Sequence, residues 1–180
     1  ELFERIHPPL ERGSAGRISL LRLLRRLGYE TGGGVMVGIP GQTLEDLADD
    51  ILTFNRLELD MIGVGPYIPH PGTPLAAEPP APVDQAPASD LMTYKVLALA
   101  RLICPQANIP ATTALATVNR ENGREMALMR GANIVMPNLT PARYRALYEI
   151  YPDKACVSET VDICFSCLKG RVESIGRCVG

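Results

Sequence analysis

Three cysteines stand close together near the end of the sequence, Cys156, Cys164 and Cys167, in the pattern C-x7-C-x2-C. A C-x2-C pair is a common metal chelate, because two intervening residues let both thiolates reach one ion. Three thiolates are one short of the usual four ligands, so the pattern calls for a fourth donor from elsewhere or an open coordination position. A disulfide and three unligated thiols are the alternatives. Cys104 and Cys178 complete the five cysteines, well away from the cluster. The N-terminal residues carry no apolar export signal, which favours reduced thiols or metal ligands over a disulfide framework.

Other residues of chemical interest lie where apolar runs end. Thr112 and Thr113, in "NIPATTAL", could grip a carboxylate or another anion at the end of a strand, although threonine is also simply a good strand former. "VGIPGQTLEDL" reads as strand, tight loop and capped helix, and such a helix N-terminus can hold an anion. Its glycines match neither a dinucleotide-binding nor a P-loop fingerprint, so an ordinary turn is the better reading by spacing alone. His70, among prolines in "IPHPGTP", is a possible ligand or base, and His7 carries no signal. Tyr144, Leu147, Tyr148 and Tyr151 fall on one face of a helix, a spacing that packing alone explains.

The elements that position these residues alternate. Leucines at 20, 23, 24 and 27 make a helical stripe, with Gly28 as its stop. "TGGGVMVGIP" suits a buried strand. Thr43 and Asp46 form a capping box for a helix with Leu44, Leu47, Ala48, Ile51 and Leu52 on one face. "DMIGVGPYIP" is a second strand, and the Pro/Ala-rich stretch after it a surface loop. Then come the helix "DLMTYKVLALARLIC", the strand "NIPATTAL", the short helix "GREMALMRG" and the strand "NIVMP". "TPARYRALYEIY" closes the series, with Thr140 as N-cap and Pro141 at the first helical position. This is an α/β chain of about four βα units with a parallel sheet and outer helices, either a small doubly wound sheet or half of an eight-unit barrel. The polar segments fall at the C-terminal ends of its strands, where barrel enzymes carry their chemistry.

At 180 residues and 46% hydrophobic, the chain can bury a sizeable core. A net charge of -2 without a basic block argues against nucleic acid or an anionic membrane as partner. No apolar run reaches the ~18 residues of a membrane span. The sequence opens on Glu1 and stops at "GRCVG". Both ends read as cut.

Five segments in order, "GYETGGGVMVGIPGQTLEDL", "IGVGPYIPHPGTPLA", "NIPATTAL", "GANIVMPNLTP" and "YEIYPDKACV", resemble the HydE family of [FeFe]-hydrogenase maturases. That family consists of radical S-adenosylmethionine (SAM) enzymes related to biotin synthase and methylornithine synthase. The resemblance implies the second half of a TIM-like (βα)8 radical SAM barrel over residues 1–152, followed by a segment, 153–180, with an accessory cysteine cluster. The CxxxCxxC motif that holds the [4Fe–4S] cluster of such enzymes does not occur here, so the resemblance places it in an N-terminal half outside this chain. It implies that this chain alone is inactive, with no catalytic residue of its own. It also implies that Cys156, Cys164 and Cys167 hold an accessory [2Fe–2S] or [4Fe–4S] cluster dispensable for the chemistry.

Site roles follow from the same resemblance. Arg17 binds the SAM carboxylate, Met136 contacts the adenosyl group and Tyr148 lies beside SAM. Thr112 and Thr113 line an anion or substrate site, and Tyr151 faces the substrate cavity. The implied reaction is reductive cleavage of SAM to a 5′-deoxyadenosyl radical that attacks a small organometallic substrate, an iron–cysteine species bearing CO and cyanide. Other hydrogenase maturases are the implied partners, and an anaerobic cytoplasm the setting. The alternatives are a methylornithine- or biotin-forming radical SAM activity, and a non-catalytic metal-binding module. Half a barrel alone has bare strand edges, which predicts aggregation or a dimer that completes a pseudo-barrel.

Overall fold

Gly28 ends the first long helix as its position foretells. In the computed structural model, which describes residues 2–7, 16–78, 84–148, 150, 152–157 and 160–180, a short helix α1 (Leu2–Ile6) precedes α2 (Arg17–Arg26). Gly28 sits at φ +84°, and its N–H donates to the Arg25 carbonyl while the Tyr29 N–H donates to that of Leu24. This is a Schellman motif, which needs a residue at ease in the left-handed region. The leucine stripe is less buried than its spacing predicts: Leu20, Leu23 and Leu27 are exposed, and Leu21 is the residue that packs on the core.

β1 (Gly32–Val37) and β2 (Met61–Pro66) pair in parallel, from Gly32 opposite Met61 to Val37 opposite Pro66, with α3 (Leu44–Arg56) as the crossover. The predicted capping box is present: the Asp46 N–H donates to Thr43 Oγ1 and the Thr43 N–H to the Asp46 carboxylate. α3 buries Leu47, Ile51 and Phe54, while Leu44, Ala48 and Leu52 of the predicted face are exposed. α4 (Asp90–Ile103), capped by Ser89, adds Val96, Leu97 and Ala100 to the same core, against Val37, Ile62 and Val64 of the strands. Strand residues alternate in facing. The opposite face of the pair therefore carries Gly32, Gly34, Met36, Met61, Gly63 and Gly65.

The parallel arrangement continues past β2 only as single bridges, Met61 with Asn108 and Pro110 with Ile134. The full strands expected in "NIPATTAL" and "NIVMP" are not formed. Pro110 has no N–H to give, and Thr112 turns to cap the next helix, so the ladder stops there. That helix, α5 (Thr113–Val118), is followed by α6 (Gly123–Met129), which contributes Ala127 and Leu128 to the core.

The helix expected over 140–151 shrinks to α7 (Ala142–Arg145) and a 3-10 turn (Ala146–Tyr148). Tyr144, Leu147 and Tyr148 are 44%, 80% and 62% exposed, so packing does not account for their spacing. An apolar face that finds nothing to pack on does not sustain a longer helix. α8 (Val161–Ser174), capped by Thr160, buries Cys164, Leu168 and Val172, and Val172 joins the central core. Among the described residues no helix is long and apolar enough to cross a membrane.

Candidate functional site

Thr112, Thr113 and Met136 lie just beyond the C-terminal ends of the parallel segments. Thr112 lies against β2, where a Cβ on Gly65 would stand 3.1 Å from Thr112 Oγ1. Gly65 in turn is paired with Met36. Thr112 and Met136 each come two residues after the Pro110–Ile134 bridge. Met36 and Met136 are about half exposed, at 48% and 50%. The Thr112 hydroxyl already accepts the Leu115 N–H at 3.4 Å, so any ligand would share it with the cap. Thr113 is the first residue of α5, and its carbonyl accepts the Thr117 hydroxyl. The pair thus stands at a strand-to-helix turn rather than on a strand.

Arg17 opens α2, with its guanidinium 5.3 Å from the centre of the Phe3 ring. Tyr148 is exposed, and its carbonyl accepts from Lys154 Nζ at 3.0 Å. Tyr151 lies outside the described residues. His70 Nδ1 accepts the N–H of Gly72 within its own turn.

The loop after β1 is an ordinary turn. The Gly38 N–H donates to the buried Gln42 side chain at 2.7 Å and the Gly41 N–H to Gln85 at 3.2 Å, so both amides are already taken. Gly38, at φ +88°, is there because a Cβ would collide with the backbone of Ala88. A groove of about 450 Å³ runs past Thr43, Glu45, Asp84 and Met92, and none of the predicted site residues lines it.

At the cysteine cluster the sulfurs of Cys156 and Cys164 each accept from a nitrogen donor. Arg124 Nη1 donates to Cys156 Sγ at 3.6 Å and the Asn138 N–H to Cys164 Sγ at 3.4 Å. Cys156 is half-buried, Cys164 buried and Cys167 exposed.

The chain is 48% identical over 161 residues to the [FeFe] hydrogenase maturase subunit HydE of Thermotoga maritima, covering 89% of this chain and 44% of that protein. The chain is a HydE homologue. It is also 29% identical over 126 residues to the 3-methylornithine synthase of Methanosarcina barkeri, covering 70% of this chain and 33% of that one. A biotin synthase of Allorhizobium ampelinum is 29% identical over 126 residues, covering 69% and 36%. The chain thus spans less than half the length of these curated relatives. No family model matches it.

The donors of this HydE homologue suit a thiophilic metal or an iron–sulfur cluster in kind, since thiolate ligands are stabilised by N–H groups aimed at sulfur. They are not gathered in place: among the described residues no three His, Cys, Asp or Glu side chains converge as a bound ion requires. A shared metal therefore needs the sulfurs to shift from the positions they hold here.

Two residues at this cluster carry no signal in the sequence. Asn138 contacts Cys156 as well as Cys164, and the Arg145 side chain, 2% exposed, donates to the carbonyls of Asn138, Thr140 and Cys156. An arginine in "PARYRALY" reads as a surface residue. Only the fold turns it inward.

Proposed function

We propose that this chain contributes half of a (βα)8 barrel to a radical SAM maturase of the [FeFe]-hydrogenase assembly pathway. The observation that carries the reading is the 48% identity over 89% of the chain to the Thermotoga maritima HydE. The 29% identities to methylornithine and biotin synthases support the radical SAM setting and favour neither of those activities.

In this reading a [4Fe–4S] cluster held outside this chain supplies the electron that cleaves SAM. The chain's own part is to bind and enclose. Thr112, Thr113 and Met136 sit at the ends of the parallel segments and contact SAM or an organometallic iron–cysteine substrate carrying CO and cyanide. Arg17, Tyr148 and Tyr151 complete the contacts once the barrel closes. Positioning of this kind supplies orientation and excludes water from a reactive intermediate. Cys156, Cys164 and Cys167 hold an accessory metal or cluster apart from the chemistry. Such oxygen-sensitive centres require an anaerobic cytoplasm. Other hydrogenase maturases are the partners, with no role for nucleic acid or membrane.

The test is to reconstitute the protein encoded by the whole reading frame anaerobically with iron, sulfide and SAM, and to assay it with the other maturases and apo-hydrogenase. Release of 5′-deoxyadenosine together with active hydrogenase is the expected result. SAM cleavage without hydrogenase activation would redirect the reading to another radical SAM activity. No SAM cleavage would overturn it.

A further inference from the structure

Asn138 uses every one of its polar groups. Its backbone N–H donates to Cys164 Sγ, and its Nδ2 donates to the Cys156 carbonyl at 3.1 Å. Its Oδ1 accepts the Thr140 N–H at 3.1 Å, and its carbonyl accepts from Arg145 Nη2 at 2.8 Å. Cys156 sits at φ +63°, a left-handed conformation that a non-glycine residue keeps only when its surroundings hold it there. The restraint on the Cys156 carbonyl comes from Asn138 and from buried Arg145. Cys156 lies on a loop and Cys164 on α8, and Asn138 bonds to both.

We propose that Asn138 is the positioning residue of the cysteine site. It ties the loop carrying Cys156 to the helix carrying Cys164, so that both sulfurs serve one thiophilic metal or iron–sulfur cluster. Cys167, one helical turn beyond Cys164, provides the third. This inference rests on the reading of the three cysteines as a metal site. The sulfurs do not converge in the structure, and Asn138 is the residue bonded to both of the segments that carry Cys156 and Cys164. Outer-sphere residues that orient ligands typically change metal affinity by about 10–100-fold when removed.

Anaerobic titration of the 180-residue chain with Co²⁺ tests both levels, because thiolate-to-cobalt charge-transfer absorption scales with the number of bound thiolates. Cys156→Ala, Cys164→Ala and Cys167→Ala each lose about one third of the band if the three sulfurs share the ion. Asn138→Asp keeps the acceptor for Thr140 and loses the donor to Cys156. It is expected to bind Co²⁺ about 10–100-fold more weakly, with the band of two thiolates, while its circular dichroism stays native. Asn138→Ala should behave alike. Native affinity and band in both Asn138 variants, with the cysteine variants impaired, overturns the role of Asn138 alone. Native binding in all three cysteine variants overturns the metal reading and this inference with it.

Discussion

Arg171 and Glu125, 46 positions apart, join α8 to α6 through a 2.5 Å ion pair. The Glu125 side chain is only 11% exposed, and its other oxygen, Oε2, is buried without a partner among the described residues. Arg171→Ala would leave this carboxylate buried and unpaired. We expect a loss of about 2–3 kcal/mol, below the range for fully buried pairs because Arg171 is one-third exposed. Glu125→Gln, which removes the charge along with the pairing, should cost less. Urea denaturation of both variants measures the difference, and equal losses would contradict it.

The β1–β2 pairing sets a steric limit. A Cβ on Gly34 would overlap the backbone of Gly63 on the neighbouring strand, whereas one on Gly32 meets nothing nearer than 3.4 Å. Gly34→Ala should therefore destabilise by roughly 1–3 kcal/mol, the usual range for forced overpacking. Gly32→Ala should be close to neutral. A thermal melt of the two variants side by side distinguishes them.

Asp50 makes stability depend on pH. Burial first, and then the neighbouring carboxylates Asp46 and Asp49, raise its pKa from 3.8 to about 6. An acid whose folded pKa is raised contributes stability that is fully present below pH ~4 and is lost as the pH rises through about 6. Asp50→Asn should therefore stabilise the chain at pH ~7, by on the order of 1–2 kcal/mol after solvent screening, and much less at pH ~4. Chemical denaturation at the two pH values gives the comparison. A difference between variant and native chain that does not grow with pH would sink the assignment.

Thr112 and Thr113 separate stability from binding. Thr112→Val keeps the shape but loses the hydroxyl that accepts the Leu115 N–H, so about 1 kcal/mol of stability should go with the cap. Thr113→Ala leaves the cap intact and should melt near the native temperature. If the pair lines a ligand site, SAM or substrate affinity in the complete enzyme falls in the second variant with stability unchanged. Calorimetry on the isolated chain and ligand titration of the enzyme read the two effects.

Local signals in the sequence locate α2, α3, α4 and α6, whereas α8 is not foreseen and α5 reads as strand. The capping box of Thr43 and Asp46 and the Schellman glycine at 28 both appear in the structure, because each rests on contacts within a few residues. The segment around Thr112 misled for an equally local reason: threonine favours strands and also caps helices, and the choice between them was made by Pro110 interrupting the ladder. The tyrosine-bearing segment has helical spacing but no surface to bury it against. The cysteine spacing announced a possible metal site, yet it could not reveal that Asn138 and Arg145 hold its parts, since both reach it through tertiary contacts. The polar loop after β1 looked receptive to an anion, and only distant Gln85 and buried Gln42 show that its amides are occupied.

Each parallel segment of this chain pairs with its nearest neighbour in sequence: β1 with β2, β2 with Asn108, and Pro110 with Ile134. Within this row, no pairing skips over a segment to reach one farther along the chain. During synthesis, which presents residues in order, each newly emerged unit meets a neighbour already made, and the entropic cost of closing long loops is kept low. The outer edge of β1 is the exception. Among the described residues no later segment pairs with it.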